Sequence, residues 1–437
     1  MFGVSRHAVA AALSLTVALA LAGEAGAQAK PTPAERTVAA IRASAGFKAA
    51  LASLDAGHDR IVAETIQLTE IPAPPFKEAA RAAVYADHFR RLGLRDVTID
   101  PEGNVIGLRP GTDPKLPLIV LSAHLDTVFP EGTDVKVRRE GTKLHAPGVG
   151  DDTRGLATLL AHIRALDAAK IRTRRGILFV GTVGEEGQGD LRGARYLFTK
   201  GAYKDRIGGF FSLDGDDPAR VTHRAVGSRR YRATFKGPGG HSYGAFGIVN
   251  PMAAMANAIS ELYRLPVPAN PKTTYSASVT GGGTSVNAIP NEVFVEIDMR
   301  SEDQASLADL DRHFLAVLQA SVEAENKARS TRAGSVSVDA KLIGERPAGA
   351  TPADAPIVRA VEGAVTAMGL KPSRAAASTD SNIAMSLGVP AVTIGYGGAG
   401  GRSHSLDEFV DVAKPEGLRG MTVGLLAVLA AAEMELR

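Results

Sequence analysis

The chain has 437 residues, a length that predicts two or three domains and not a single core. Its 50 lysines and arginines against 47 aspartates and glutamates give a formal charge of +3, and the arginine clusters at residues 172–175 and 229–232 are interpreted as solvated faces and not as a nucleic-acid footprint. The absence of cysteine excludes disulfides and thiol ligands, so any metal site must use histidine and carboxylate side chains.

Residues 1–27 have the pattern of a secretory signal. Arg6 and His7 precede an apolar run at residues 8–22, and Ala25 to Ala27 fit the small-residue cleavage rule. The apolar run is about fifteen residues, which is short for a membrane span. We therefore expect a secreted or periplasmic protein that starts at Gln28, with a retained N-terminal anchor as the alternative; a lipoprotein would need a cysteine.

The first large region alternates helices and strands. Residues 28–45 are rich in alanine, proline and lysine and predict a loosely held lead-in. Apolar periodicity then predicts helices near residues 59–68, 78–94, 153–166 and 192–198. Strands are expected near residues 96–99, 104–108, 118–121, 176–182 and 208–213. This order predicts an α/β fold, a mostly parallel sheet with helices on both faces.

The pattern changes near Ala225 and later returns. Alternating apolar and polar residues predict strands at residues 231–236, 274–279 and 293–300, and helices are predicted at residues 251–262 and 306–323. This pattern indicates an α+β module. The α/β pattern resumes with a helix at 355–368 and a strand at 390–394. We therefore predict one domain in two parts, residues 28–224 and 346–437, interrupted by an inserted module at residues 225–345.

Residues that can bind a divalent metal follow several of the predicted strands. In open α/β sheets, ligands bind outside the carboxyl ends of the strands, where these side chains would meet. Each has a simpler reading alone: helix capping for the aspartate pair at 151–152, a turn for Asp214, and solvated loops for the others. The residues concerned are His124, Asp126, Asp151, Asp152, Glu185, Glu186, Asp214 and His404.

Taken together, these segments resemble the dinuclear zinc peptidase family of glutamate carboxypeptidase, aminoacylase, succinyl-diaminopimelate desuccinylase and tripeptidase. The resemblance runs from about residue 59 to the end of the chain. It rests on residues 122–127 (SAHLDT), 148–152 (GVGDD), 184–187 (GEEG), 212–215 (SLDG) and 403–405 (SHS).

The resemblance implies two metal ions and a role for each residue. His124 and Asp214 would bind one ion, Glu186 and His404 the other, and Asp151 would bridge them. Zinc is expected, with cobalt or manganese as alternatives, since histidine and carboxylate serve all three. Asp126 would act beside His124, and Glu185 would be the general base. A cis peptide between Asp151 and Asp152 is also implied.

The inserted module resembles the lid and dimerisation domain of that family. Residues 239–242 (GGHS) match a loop whose histidine, here His241, would stabilise the oxyanion, often from the partner subunit of a homodimer. Asn287 and Arg300 match positions that hold a substrate carboxylate, a task that suits the arginine fork. The alternatives are a plain turn for His241 and a surface role for Arg300. His162, in the middle of a predicted helix, is expected to be at the surface or half-buried.

The sequence therefore predicts an exported, metal-dependent exopeptidase or amidase that acts on small peptides or N-acyl amino acids, with no nucleic-acid partner and no stable membrane insertion. The rival from another class is an exported, two-lobed binding protein without catalysis, although such a protein needs no paired glutamates beside metal ligands. A two-metal phosphoesterase ranks lower, because Arg300 is the only strong candidate for a phosphate clamp.

Overall fold

The computed structural model describes residues 32–436, so the predicted signal sequence lies outside the described residues. No helix in this part of the chain is long and apolar enough to cross a membrane. The α-helices are α1 Pro33–Ala43, α2 Ala45–Ala56, α3 His58–Thr69, α4 Ala79–Arg91, α5 Thr153–Ala168, α6 Arg192–Thr199, α7 Pro251–Leu262, α8 Gln304–Ala328, α9 Pro356–Ala367, α10 Ser381–Ser386 and α11 Lys414–Ala431.

The strands of residues 32–436 form one large sheet and three smaller ones. They are β1 Arg95–Ile99, β2 Val105–Arg109, β3 Leu118–His124, β4 Arg138–Glu140, β5 Lys143–His145, β6 Ile177–Thr182, β7 Ile207–Leu213, β8 Arg220–Ala225, β9 Gly227–Lys236, β10 Gly240–His241, β11 Thr273–Gly282, β12 Ala288–Ile289, β13 Glu292–Ser301, β14 Ser337–Arg346, β15 Gly349–Ala350, β16 Ser373–Ala377, β17 Ala391–Ile394, β18 Ala399–Gly401 and β19 Phe409–Asp411.

The large sheet has the order β1-β2-β6-β3-β7-β17-β8-β15, with β16 beside β8. Its four middle strands, β6, β3, β7 and β17, run parallel, and antiparallel strands flank them. Every residue of β3 and β6 is buried, as expected for parallel strands covered on both faces. The predicted α/β class is confirmed.

The start of the described chain is helical, so the expectation of a loosely held lead-in at residues 28–45 is wrong from residue 33 onward. Thr32 caps α1, and its hydroxyl and the Glu35 side chain satisfy two backbone N–H groups in a capping box. Val38 and Ile41 are buried in the main core, where α1 packs against α9. Tertiary burial stabilises a helix that the alanine-rich sequence leaves inconspicuous.

The inserted module has its own sheet and core. Strands β11, β13, β9 and β14 pair antiparallel in that order, and α7 and α8 pack on them around residues such as Phe235 and Phe314. The chain leaves the large sheet after β8, which ends at Ala225, and returns after β14, which ends at Arg346. The division at 225 and 345 stays a prediction that agrees with these strand ends.

Two expectations about charged side chains are wrong. His162 is buried, 1% exposed, because α5 packs against both the large sheet and α11, and the His162 Nε2 lies 2.9 Å from the carbonyl oxygen of Met421. Arg229 and Arg230 are not a solvated face: each is about one quarter exposed or less and pairs with carboxylates, as with Asp298 at 3.0 Å from Arg230.

Candidate metal centre

Three neighbouring strands of the large sheet deliver polar side chains at their carboxyl ends. His124 is the last residue of β3, Asp214 directly follows β7, and Glu185 and Glu186 follow β6. Gly184 starts the turn after β6 with φ +64°, a conformation that a side chain disfavours, and a Cβ there would also meet Arg192. The turn therefore aims two adjacent carboxylates back over the sheet.

His124 is held from several sides and is 2% exposed. Its Nδ1 lies 3.0 Å from the carbonyl oxygen of Asp126 and 3.6 Å from that residue's carboxylate. Both Asp126 carboxylate oxygens accept backbone hydrogen bonds, from Glu185 N at 3.0 Å and Glu186 N at 2.8 Å. Asp126 thus fixes the imidazole and the glutamate turn relative to each other.

Asp151 lies between the two histidines. Its Oδ1 is 2.9 Å from His124 Nε2, and its Oδ2 is 3.1 Å from His404 Nε2. The peptide bond between Asp151 and Asp152 is cis, as the family resemblance implied. Asp152 occupies the N-cap position of α5 without capping it, because its Oδ2 accepts from His124 N at 2.9 Å, so the capping alternative is wrong.

His404 is 54% exposed at the side chain but is not a free loop histidine. Its Nε2 lies 2.9 Å from Glu186 Oε1 and 3.1 Å from Asp151. The residue adopts φ +66°, and the loop that carries it runs between β18 and β19. The simple surface-loop alternative for His404 is therefore wrong.

The side chains form two groups of potential ligands that share Asp151. In the first, His124, Asp151 and Asp214 each offer one atom within 4.8 Å of the others. In the second, Asp151, Glu186 and His404 do the same. These are the two ligand sets that the resemblance implied. A further group, His124 with Glu185 and Glu186, places the proposed base at the same centre.

Burial and close contact between charged groups shift the pKa values of several side chains in the cluster. Burial and the neighbouring Asp151 raise the pKa of Asp214 to about 7. Hydrogen bonds with Asp151 and Glu186 raise the pKa of His404 to about 10. Burial opposes ionisation of Asp151, but hydrogen bonds from His124 and His404 lower its pKa. Crowded carboxylates with neighbouring imidazoles are a donor set suited to divalent cations, whose charge would relieve the repulsion.

Glu185 is almost buried, 5% exposed, and belongs to neither of the two groups around Asp151. Burial raises its pKa well above the usual value, against the lowering effect of Arg346. Arg346 Nη1 donates to Glu185 Oε1 at 3.2 Å, and its Nη2 donates to the Glu185 carbonyl oxygen. A desolvated carboxylate with one polar contact matches the requirements for general-base work.

A cavity of about 720 Å³ opens over the cluster, a size that suits a small ligand. Arg230 and Arg300 of the inserted module line it, and both donate through Nε to Asp298. Arg300 therefore faces the site. His241 and Asn287 do not line this cavity: both are exposed at the far part of the module, where His241 Nδ1 accepts from Tyr243 N at 3.2 Å.

Sequence reasoning missed two residues that support the site. Arg346 was noted only as a domain boundary, although it contacts Glu185. Glu408 accepts hydrogen bonds from the backbone N–H groups of Gly148, Gly150 and Asp151, and so holds the loop that presents Asp151. Its position four residues after His404 was the one available signal. Asp380 also supports the site, because its carboxylate accepts from Thr182 Oγ1, at the end of β6, at 2.6 Å.

A sheet whose strand ends bring histidines and carboxylates together is suited to a metal-dependent hydrolase. The chain belongs to peptidase family M20/M25/M40, whose model matches residues 120–426, well over half of the chain. Members of this family bind two metal ions, and the protein is accordingly a metallohydrolase.

Solved structures of other proteins share the fold of this chain. The aminopeptidase PepT from Bacillus cereus ATCC 10987 shares the fold with a TM-score of 0.69 and 22% identity, over 86% of this chain and 98% of that one. A dinuclear metal-binding peptidase from Bacillus subtilis gives 0.63 and 18%, over 86% and 98%.

By sequence, the N-carbamoyl-L-amino-acid amidohydrolase of Paenarthrobacter aurescens is 31% identical over 29% of this chain and 27% of its own length. Alignments with the curated relatives span no more than 27% of those proteins. The substrate of this chain is therefore a matter for proposal.

Proposed function

We propose that this protein is an exported exopeptidase or amidase that hydrolyses a peptide or N-acyl amide bond with two divalent metal ions and a glutamate base. The observation that carries the proposal is the pair of ligand groups around Asp151, with Glu185 beside them at the floor of a ligand-sized cavity. Family membership favours this activity over that of a binding protein.

His124, Asp151 and Asp214 would hold one ion, and Asp151, Glu186 and His404 the other. Bound there, the ions would polarise the scissile carbonyl and lower the pKa of water. Zinc is proposed as the native metal, with cobalt or manganese as alternatives.

The protein's own groups then move the proton and hold the substrate. Glu185 would take a proton from the attacking water at its carboxylate and pass it to the leaving amine. Arg300, already in the cavity wall, would bind the substrate carboxylate, and Asn287 would join it after closure of the inserted module. His241 would stabilise the oxyanion, delivered by closure or by a partner subunit in a homodimer.

The cavity wall carries more arginines than the sequence pattern indicated. Four arginines line the cavity, namely Arg220, Arg230, Arg300 and Arg346. A shortage of positively charged side chains is therefore not a reason to reject a phosphoesterase. The family match is what favours amide hydrolysis.

The test is a substrate screen of the full chain after metal removal by a chelator and reconstitution with zinc, cobalt or manganese. Dipeptides, tripeptides, N-acyl and N-carbamoyl amino acids and a phosphoester are offered, and metal content is measured in the same samples. We expect near two ions per chain and hydrolysis of at least one amide class only when metal is bound. Metal-loaded protein that cleaves none of the amides, or cleaves only the phosphoester, would contradict the proposal.

Export is tested separately, by cell fractionation and by sequencing the mature N-terminus, which we expect to be Gln28.

A further inference from the structure

One arginine of the cavity has no acidic partner among residues 32–436. Arg230 and Arg300 pair with Asp298 at 3.0 and 2.7 Å, and Arg346 pairs with Glu185 at 3.2 Å. The guanidinium of Arg220 has only a long contact, 3.4 Å, from Nη2 to the carbonyl oxygen of Ala376. Its charge and most of its donors are therefore available to a ligand.

Arg220 lies on the wall formed by the large sheet, away from the arginines of the inserted module. It starts β8, which is separated from β7 by β17 alone. With strands about 4.8 Å apart, its backbone lies about 10 Å across the sheet from Asp214, which directly follows β7. One substrate residue bound at the metal site, together with its side chain and the side chain of Arg220, can span this distance.

One hydroxyl-bearing residue lies close to this arginine on the same wall. Thr222 lies two residues further along β8, on the same face as Arg220, and it also lines the cavity. Ser378, which follows β16, lines the cavity at the opposite end of β8 and accepts a hydrogen bond from Arg346 Nη1 at 3.2 Å. A cation with a hydroxyl donor on the same strand face is an arrangement that favours a carboxylate.

Two aspartates also line the cavity, but both are engaged by the backbone. Asp216 accepts from Gly400 N at 2.6 Å, and Asp217 accepts from Ala219 N at 2.9 Å in the turn before β8. Neither lies within ion-pair distance of Arg220. Each aspartate thus holds a loop through the backbone, and neither forms an ion pair with Arg220.

We propose that Arg220 recognises a second anionic group of the substrate, so that the preferred substrates are peptides or N-acyl amino acids with an acidic side chain. This inference rests on the proposed function of the site. It adds a specificity-determining contact on the sheet wall, distinct from the carboxylate contact expected of Arg300.

The experiment compares ligands that differ only in side-chain charge. The pairs are N-acetyl-glutamate with N-acetyl-glutamine, Ala-Glu with Ala-Gln, and Glu-Ala with Gln-Ala. Binding is measured by calorimetry on metal-loaded Glu185→Gln protein, and hydrolysis is measured on the protein with Glu185 intact. Each is repeated with Arg220→Gln. Arg374→Gln serves as the matched control, because Arg374 lies opposite Val221 on the adjacent strand β16 but pairs with Glu362 outside the cavity.

We expect the glutamate member of at least one pair to bind about tenfold or more tightly than the glutamine member, since hydrogen bonds to charged groups are the strong ones. Arg220→Gln should abolish that difference and leave the affinity for the glutamine member unchanged, whereas Arg374→Gln should preserve it. Equal binding within all three pairs, or a preference that survives in Arg220→Gln, would overturn the inference. Because binding is measured independently of turnover, absent hydrolysis would count against the proposed function alone.

Discussion

Glu185 differs from its neighbour Glu186 in what it contacts, although both are nearly buried. Glu186 reaches His404, whereas Glu185 meets Arg346 and stands outside both groups around Asp151. Replacing Glu185 with glutamine keeps the shape and removes the proton acceptor. We expect Glu185→Gln to bind both metals and to lose about 10²–10⁴-fold in kcat.

The measurement pairs steady-state kinetics with metal analysis on the same preparations. Glu140→Gln, a change at an exposed position on β4, is the control and should behave as the parent protein does. A Glu185→Gln protein that turns over its best substrate at the parental rate would remove Glu185 from proton transfer.

Adjacent aspartates at residues 151 and 152 allow a matched comparison of metal binding. Asp151 contacts both histidines, whereas Asp152 is buried beneath and accepts from His124 N. We expect Asp151→Asn to lose metal on dialysis and Asp152→Asn to retain most of it, because asparagine still offers an acceptor to the backbone. Metal content by mass spectrometry decides, and equal retention in both variants would rule out a bridging role.

At the scale of the elements, apolar runs in the sequence correctly predicted buried strands and the positions of the polar site residues that follow them. The runs before His124, Glu185 and Asp214 are buried strands, and each polar residue lies at the end of its strand or within three residues after it. Contacts between distant segments were not predictable in this way. Arg346 and Glu185 are separated by 161 positions, and Glu408 and Gly150 by 258. No local period records such pairings, so the supporting groups of the site appeared only in three dimensions.

Helix α5 also carries a pH-sensitive contact with α11. Burial lowers the pKa of His162 to about 4, while the same side chain in the unfolded chain titrates near 6.5. Below pH 6.5 the His162 side chain of the unfolded chain binds a proton, whereas the buried side chain of the folded chain stays neutral. The contribution of neutral His162 to the free energy of unfolding is therefore fully present above pH 6.5 and is lost as the pH falls to about 4. The loss amounts to about 3 kcal/mol.

We therefore expect His162→Gln, which keeps a donor for the Met421 carbonyl, to lose less unfolding free energy than the parent between pH 7.5 and 4.5. Chemical denaturation of metal-free protein at both values measures this, with the exposed His313→Gln as control. Parallel stability curves for His162→Gln and the parent would show that His162 does not titrate as its burial implies.

At the scale of the whole molecule, the interruption of one domain by another was predictable because the strand pattern changes and then returns. The relation between the domains was not. Arg300 reaches the cavity, whereas His241 lies on β10 with the exposed aromatic residues Tyr243 and Phe246 beside it. Side chains on a module that connects to the sheet through two short segments depend on its orientation, which the sequence pattern leaves open.

The position of His241 leads to a prediction about the assembled molecule. To reach the oxyanion, His241 must be delivered by movement of the inserted module or by a second subunit. In either case the His241→Ala variant should keep its metals and have a lower kcat, since His241 is no ligand in the cluster.

If a partner subunit delivers His241, mixing His241→Ala with Glu185→Gln protein restores activity, because one site of the mixed dimer then combines an intact Glu185 with an intact His241. Mixing each variant with itself under the same exchange conditions is the control. No recovery despite subunit exchange verified by native mass spectrometry would assign delivery to closure within one chain, and a parental rate in His241→Ala alone would exclude the residue from the reaction.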